Sequence, residues 1–264
     1  MSRRGLGPWI AVAILVAWAP GVRAESSLDD IRARGVLRVG IKTDAPPFGS
    51  LDGAGRHVGF EVELARLFAR VLFDDDRRVQ LTRVTTATRF PLLQAGRVDL
   101  VIATVTATPE RRGLGELSDP YFMSGSLVLV PRASPATGLV DLAERRVAVV
   151  RGSVQEQDVA ELQPRARLRA VDSVAAAVLA VKRGEADALV YDDVVVLELA
   201  QRDRDVIAIG HPLRPRPYVV AARKWDTGLI RWVNGWLAKI RRDGSYAEMW
   251  RRHFAPFESR LVGG

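Results

Sequence analysis

Short apolar runs of strand length alternate with longer stretches in which apolar residues recur every three or four positions, and this switching of period runs through most of the chain. Residues 37–42 read as a strand, and 60–73 as a helix with an apolar stripe at Phe60, Leu64, Leu67, Phe68 and Val71. Residues 79–84 read as a strand, 89–94 as a short helix ended by Gly96, and 98–103 as a buried strand. Thr108-Pro109-Glu110-Arg111 opens another helix, with a capping hydroxyl, a proline at the first helical position and an acid in the first turn. Strands at 147–150, 168–171, 188–191 and 206–209 then interleave with helices at 153–162, 174–182 and 194–202, and helices at 226–242 and 246–254 follow. Strands alternating with helices of this length build parallel sheets covered on both faces, so the chain is predicted to be α/β. With 264 residues, 48% of them hydrophobic and 27% charged, it has the material for a large core and lacks the composition of a disordered chain.

Two stretches break the rhythm, 131–138 and 211–217, both rich in proline. Each lies beside a short apolar strand, 127–130 and 218–221. Read as two crossings between lobes, these strands make residues 131–218 a second lobe inserted into a first lobe of 25–130 and 219–264. Two adjacent extended connections form a hinge, because a few residues absorb the rotation of two rigid bodies. A single continuous doubly wound sheet fits the periodicity equally well.

The first 24 residues read as a targeting segment. Arg3 and Arg4 give a positive start, 9–19 an apolar run, Pro20-Gly21 a break, and Val22-Arg23-Ala24 a cleavage site expected to be cut after Ala24. The apolar run is too short to span a hydrocarbon core of roughly 30 Å. Removing this segment takes away Arg3, Arg4 and Arg23 and no acid, so the formal charge falls from +8 to +5. A mildly basic exported chain suits an acidic small molecule better than nucleic acid, because its arginines are scattered in pairs rather than gathered on one element.

No cysteine is present, which excludes disulfides, thiolate-bound metal and a thiol nucleophile. Three histidines, His57, His211 and His253, are poor material for a metal site, and neither metal nor cofactor is expected. The glycines at 53, 55 and 59 have the wrong spacing for a dinucleotide loop; Asp52-Gly53 reads as a hairpin turn, and Asp74-Asp75-Asp76 as a solvated turn. Nucleophile elbows, phosphate loops and zinc-protease motifs are absent from the sequence, so no catalytic residue is assigned.

What remains is a set of polar residues at the C-terminal ends of predicted strands, where ligands bind in open parallel sheets. Lys42 ends the first strand, Arg89 opens the helix after the second, Thr104 and Thr106 follow the third, and Arg111 sits in the next helix's first turn. Arg151-Gly152-Ser153 follows 147–150, and Asp192 follows 188–191. Four cations, three hydroxyls, one carboxylate and two helix N-termini suit a zwitterion with an extra acid. Taken singly, each has another reading: the hydroxyls as caps, Arg111 as a partner of Glu110 or Asp119, Asp192 as the cap of the helix after it.

The stretch Leu37-Arg-Val-Gly-Ile-Lys-Thr-Asp-Ala-Pro-Pro-Phe48, then Val58-Gly-Phe-Glu-Val-Glu-Leu-Ala65, Gly96-Arg-Val-Asp-Leu-Val-Ile-Ala-Thr-Val-Thr-Ala-Thr-Pro-Glu-Arg111 and Ser118-Asp-Pro-Tyr-Phe122 resembles the bacterial extracellular solute-binding proteins of polar amino-acid ABC importers, family 3. Gly244-Ser-Tyr-Ala-Glu-Met-Trp250 resembles the family's closing helix, and the likeness runs from about residue 28 to 254. It implies a two-lobed periplasmic-binding-protein fold, two doubly wound sheets joined by two hinge strands, with the ligand in the cleft. By motif, it puts the carboxylate-binding arginine on Arg111, hydroxyl and backbone ligands on Ala103, Thr104 and Thr106, the second-lobe helix N-terminus on Ser153 and Val154, and the ammonium-binding acid on Asp192. Lys42, where many members have an acid, together with Arg89 resembles the aspartate/glutamate-binding subgroup and implies an acidic amino acid. Val154 stands where a second threonine is usual, and Arg151 where a small or neutral residue is common, so Arg151 is a possible further contact. The implied role is capture by hinge closure and delivery to inner-membrane permease subunits by a periplasmic monomer. An enzyme on the same fold would need a general acid, for which Asp192 is the one candidate; a sensory domain would need an anchor or effector segment, which the chain to Gly264 is not expected to have.

Overall fold

The computed structural model describes residues 27–261; the expected targeting segment lies outside them. The first elements are α1 (Ser27–Arg34), β1 (Leu37–Ile41), β2 (Asp44–Ala45), β3 (Gly49–Leu51), β4 (His57–Val58), α2 (Phe60–Phe73), β5 (Val79–Arg83), α3 (Arg89–Gln94), β6 (Leu100–Val101) and α4 (Pro109–Leu114). A long β7 (Glu116–Pro131) leads to β8 (Arg146–Val150), α5 (Val154–Leu162), β9 (Arg167–Val171), α6 (Val174–Lys182), β10 (Ala188–Asp192) and α7 (Asp193–Arg202). A second long strand, β11 (Val206–Ala222), returns to α8 (Thr227–Arg242) and α9 (Ser245–Phe254).

Eight strands hydrogen-bond in the order β5-β1-β6-β11-β7-β10-β8-β9. β5, β1 and β6 run parallel in one lobe, and β10, β8 and β9 run parallel in the other. Between them β7 and β11 pair antiparallel along almost their whole length, with the register slipping between Ile209 and Leu213, Leu213 and Arg216, and again around Val219. The sequence left one sheet and two equally open. The hydrogen bonding joins both lobes into one ladder, and the slipped central pair separates its two parallel halves. The two connecting strands are far longer than the four-residue crossings expected, and β11 continues through Pro212, Pro215 and Pro217. A proline cannot donate to a ladder, so the strand stays extended while its register shifts.

β2, β3 and β4 form a separate small sheet. The expected hairpin turn lies between β3 and β4, with Leu51 opposite His57; its left-handed residue is Gly55, and Asp52 Oδ1 accepts the Ala54 and Arg56 N–H groups at 2.9 Å. Gly59, at φ 126°, leads into α2 so close to the preceding turn that a Cβ would meet the Phe48 carbonyl oxygen at 2.3 Å. That tight entry aims α2 at the core. Buried Phe48, Phe122 and Phe254 meet edge-on and tilted at 4.7 to 5.2 Å between ring centres, seating α9 on the first lobe. The aspartate triplet is a turn: Asp74 ends α2, Asp75 pairs with Arg77 and Asp76 with Arg70. Among the described residues no helix is long and apolar enough to cross a membrane, and no group of His, Asp or Glu could hold a metal ion.

Candidate functional site

The segments that follow β5 and β6 face those that follow β8 and β10 across a narrow cleft. Arg89, Thr104, Thr106 and Arg111 line it from one lobe; Ser153, Val154 and Asp192 line it from the other. Seven of the nine expected residues therefore converge. Thr86, Gln155 and Tyr191 complete the wall.

Arg111 is placed by the start of α4. Thr108 caps that helix, its Oγ1 accepting the Arg111 N–H at 3.2 Å, and Pro109 fixes the first turn. The guanidinium then spans both lobes, donating from Nη1 to the Thr106 carbonyl at 2.9 Å and from Nη2 to the Gly152 carbonyl at 3.2 Å. Burial, with Arg89 nearby, pulls its pKa down to about 9. Arg89, 2% exposed, donates from Nη1 to the carbonyls of Ala103 at 2.7 Å and Thr104 at 3.1 Å; its Nε is buried without a partner. Ala103 thus faces Arg89 through its carbonyl and does not line the cleft.

Asp192 leads into α7 but makes no side-chain cap, which removes the alternative reading of it. Its Oδ1 accepts from Gln155 Nε2 at 2.8 Å, and burial raises its pKa against the pull of Lys42, Gln155 and Arg89. Ser153 does cap α5, accepting the Glu156 N–H at 3.3 Å, so its hydroxyl serves the helix that points its N-terminus into the cleft.

Two expected cations stand elsewhere. Lys42 is buried behind Tyr191 rather than on the wall: its Nζ donates to Tyr191 Oη at 2.5 Å and lies 3.8 Å from Asp44. Arg151 points outward, more than half exposed, and pairs with Asp172 at 3.2 Å on the surface. A residue at the mouth of a helix can lean either way, and Asp172 lies on the solvent side.

Glu61 was not among the residues singled out. It is fully buried, and Oε1 accepts the Thr104 N–H at 2.6 Å and the Tyr121 hydroxyl at 2.5 Å. Thr104 sits at φ 47°, a strained conformation for a branched residue costing on the order of 1–3 kcal/mol. Glu61 holds that strained N–H and thereby fixes the Thr104 corner of the cleft. Its other oxygen has no partner, and burial raises its pKa to about 7. The signal was present in the sequence: Glu61 lies three residues before Leu64 and seven before Phe68, on the apolar stripe, where a carboxylate needs a reason to be.

The charged groups on the cleft wall are Arg89 and Arg111 against Asp192, with Lys42, Asp44 and Glu61 behind it. Buried charge of one sign is costly until an opposite charge meets it.

Two α/β lobes joined by a pair of crossing strands, with a charged cleft at the strand ends, define a solute-binding protein of the periplasmic type. The family model for bacterial extracellular solute-binding proteins, family 3, matches residues 37–256, and the chain belongs to that family. It is 31% identical over 230 residues to the glutamine-binding protein of an ABC transporter from Bacillus subtilis, covering 86% of this chain and 84% of that one. Among solved structures it resembles the L-cysteine solute receptor of Neisseria gonorrhoeae, at TM-score 0.84 and 27% identity over 89% of this chain and 97% of that one. It also resembles an ancestral amino acid-binding protein described as a precursor of cyclohexadienyl dehydratase, at TM-score 0.80 and 35% identity over 87% of this chain and all of that one.

Proposed function

We propose that the chain is the periplasmic substrate-binding component of an ABC importer and that it captures an acidic amino acid, glutamate or aspartate, by closing its lobes. The observation that carries this reading is the pair of buried guanidiniums, Arg89 and Arg111, facing Asp192 across the narrow cleft. In this reading Arg111 holds the α-carboxylate, with the N-terminus of α5 at Ser153 and Val154 and the groups of Thr104 and Thr106 completing its shell. Asp192 takes the ammonium. Arg89, with Lys42 behind it, answers the side-chain carboxylate. The lobes are 25–130 with 219–264 and 131–218, and bending falls where the β7–β11 register slips, between Ile209 and Val219. The protein works as a monomer after cleavage behind Ala24, does no chemistry, and hands its ligand to permease subunits.

A second reading has its own support. Asp44 offsets the charge of Lys42, and Arg89 already donates to two carbonyls, which leaves it fewer free N–H groups for a side-chain carboxylate. That balance favours a neutral polar ligand, and relatives named for glutamine and cysteine fit it. Calorimetric titration of the purified protein with glutamate, aspartate, glutamine and cysteine separates the two. Tighter binding of the acids by roughly tenfold or more, about 1.4 kcal/mol, supports the first reading; a preference for glutamine or cysteine replaces it with the second. Turnover of a cyclic dicarboxylate would overturn both.

A further inference from the structure

Several groups that join the lobes directly stand off the cleft wall. Asp44, in β2 of the first lobe, reaches the second lobe at the start of α6, where its Oδ2 accepts the Val174 N–H at 3.1 Å. Ser173 already caps α6 by accepting the Ala176 N–H at 3.1 Å, so Asp44 satisfies a first-turn donor that the helix cannot. It also sets a negative charge against the positive end of α6. Its other oxygen lies 3.8 Å from Lys42 Nζ. That ammonium donates across the lobes to Tyr191 Oη at 2.5 Å and within its own lobe to Thr86 Oγ1 at 3.4 Å, and it stands 5.1 Å from the centre of the Tyr191 ring. Lys42 is 1% exposed and Tyr191 2%, while the Asp44 side chain is 15% exposed. Neither Asp44 nor Lys42 lines the cleft.

We infer that Asp44, Lys42 and Tyr191 form a latch that holds the lobes shut through contacts of protein with protein, and that Asp44, which stands off the cleft wall, thereby sets how fast the ligand leaves. The Asp44–Val174 and Lys42–Tyr191 bonds exist only when the lobes meet, so they favour the closed state whatever the ligand is. A ligand that binds the closed state then gains apparent affinity in proportion to the closed fraction. The bonds lie where water is scarce, which raises the weight of each charge. Asp44 is thus a positioning residue that acts through α6 and Lys42.

This inference rests on the closure reading above, and the test keeps the two apart. The native chain has no cysteine, so Gln80→Cys on β5 and Leu168→Cys on β9, both exposed and at opposite edges of the sheet, can carry a spin-label pair. Pulsed distance measurements and stopped-flow dissociation are made with L-glutamate and L-glutamine as probes, in this background and with Asp44→Ala or Asp44→Asn added. Without amino acid, Asp44→Ala is expected to move the distance distribution to longer values. With a saturating probe it reaches the same short distance as the parent, and it releases the amino acid roughly tenfold faster, as the loss of a charge-assisted hydrogen bond implies, with little change in association. Asp44→Asn keeps the acceptor for Val174 and loses the charge, so it falls between. A distance distribution and release rate equal to the parent's in both variants overturn the latch. A distance that neither a saturating probe nor Asp44→Ala changes overturns hinge closure itself.

Discussion

Arg111 is bound to the backbone of both lobes, through Thr106 and Gly152, and its own N–H is held by Thr108. Arg111→Ala removes a guanidinium that touches both lobes, and truncating one partner of a buried charge pair costs roughly 2–5 kcal/mol of binding. Calorimetry should show that loss with whichever amino acid binds the native protein; a native-like titration would break the assignment. Glu61 makes a prediction about pH. Its folded pKa of about 7 is raised from an ordinary 4.5, so between those values the folded protein holds a proton that the unfolded chain has released. This contribution is fully present below pH 4.5 and is lost as the pH rises through 7. Glu61→Gln keeps the acceptor for Thr104 and removes the titration. Urea unfolding at pH 5 and pH 8 should show the variant losing less stability than the native protein, by at most about 3 kcal/mol; equal losses contradict it. At this scale the sequence was informative about which charges gather, because strand ends converge in a parallel sheet. It was silent on which way Arg151 leans and on whether Lys42 reaches the cleft wall or stops behind Tyr191, since side-chain direction depends on neighbours from distant segments.

Helix α5 connects the cleft to the crossing strands. Its N-terminus carries Ser153 and Val154, and one turn on, Asp158 faces the strand pair. The Asp158 carboxylate is 1% exposed; it accepts from Ser126 Oγ at 2.6 Å, from Arg216 at 2.6 and 2.8 Å, and from Arg214 at 3.2 Å. Asp158→Ala should lower the unfolding free energy by about 2–3 kcal/mol, below the usual 3–5 for a broken buried pair, because both arginines are partly exposed and can turn to water. Urea denaturation measures this, and a change below about 0.5 kcal/mol, the range of ordinary surface substitutions, would mean the cluster is ornamental. The helices and short parallel strands were legible because each repeats its own period over its full length. β7 and β11 were legible only at their apolar ends. Their middles carry prolines, a glycine and charged residues, which spell a loop to any local reading, and their strand character comes from pairing with each other.

Closure of two lobes on one small molecule has a thermodynamic signature for the whole protein. A ligand that binds only the folded state stabilises it by about 2.7 kcal/mol at one hundred times its dissociation constant. A thermal-shift series with glutamate, aspartate, glutamine and cysteine should therefore rank the amino acids in the same order as calorimetry; a mismatch in rank would mean that binding does not engage the folded cleft. The two-lobed plan followed from the proline-rich breaks and the family likeness together, since periodicity alone fitted one sheet as well as two. The chain crosses between the lobes in β7 and β11, which lie side by side and hydrogen-bonded to each other, not as two separate threads. Paired strands have to move together, and their register slips at only a few places. Opening should accordingly trace one arc, like a book on its spine, and any two gauges placed across the gap should lengthen in fixed proportion.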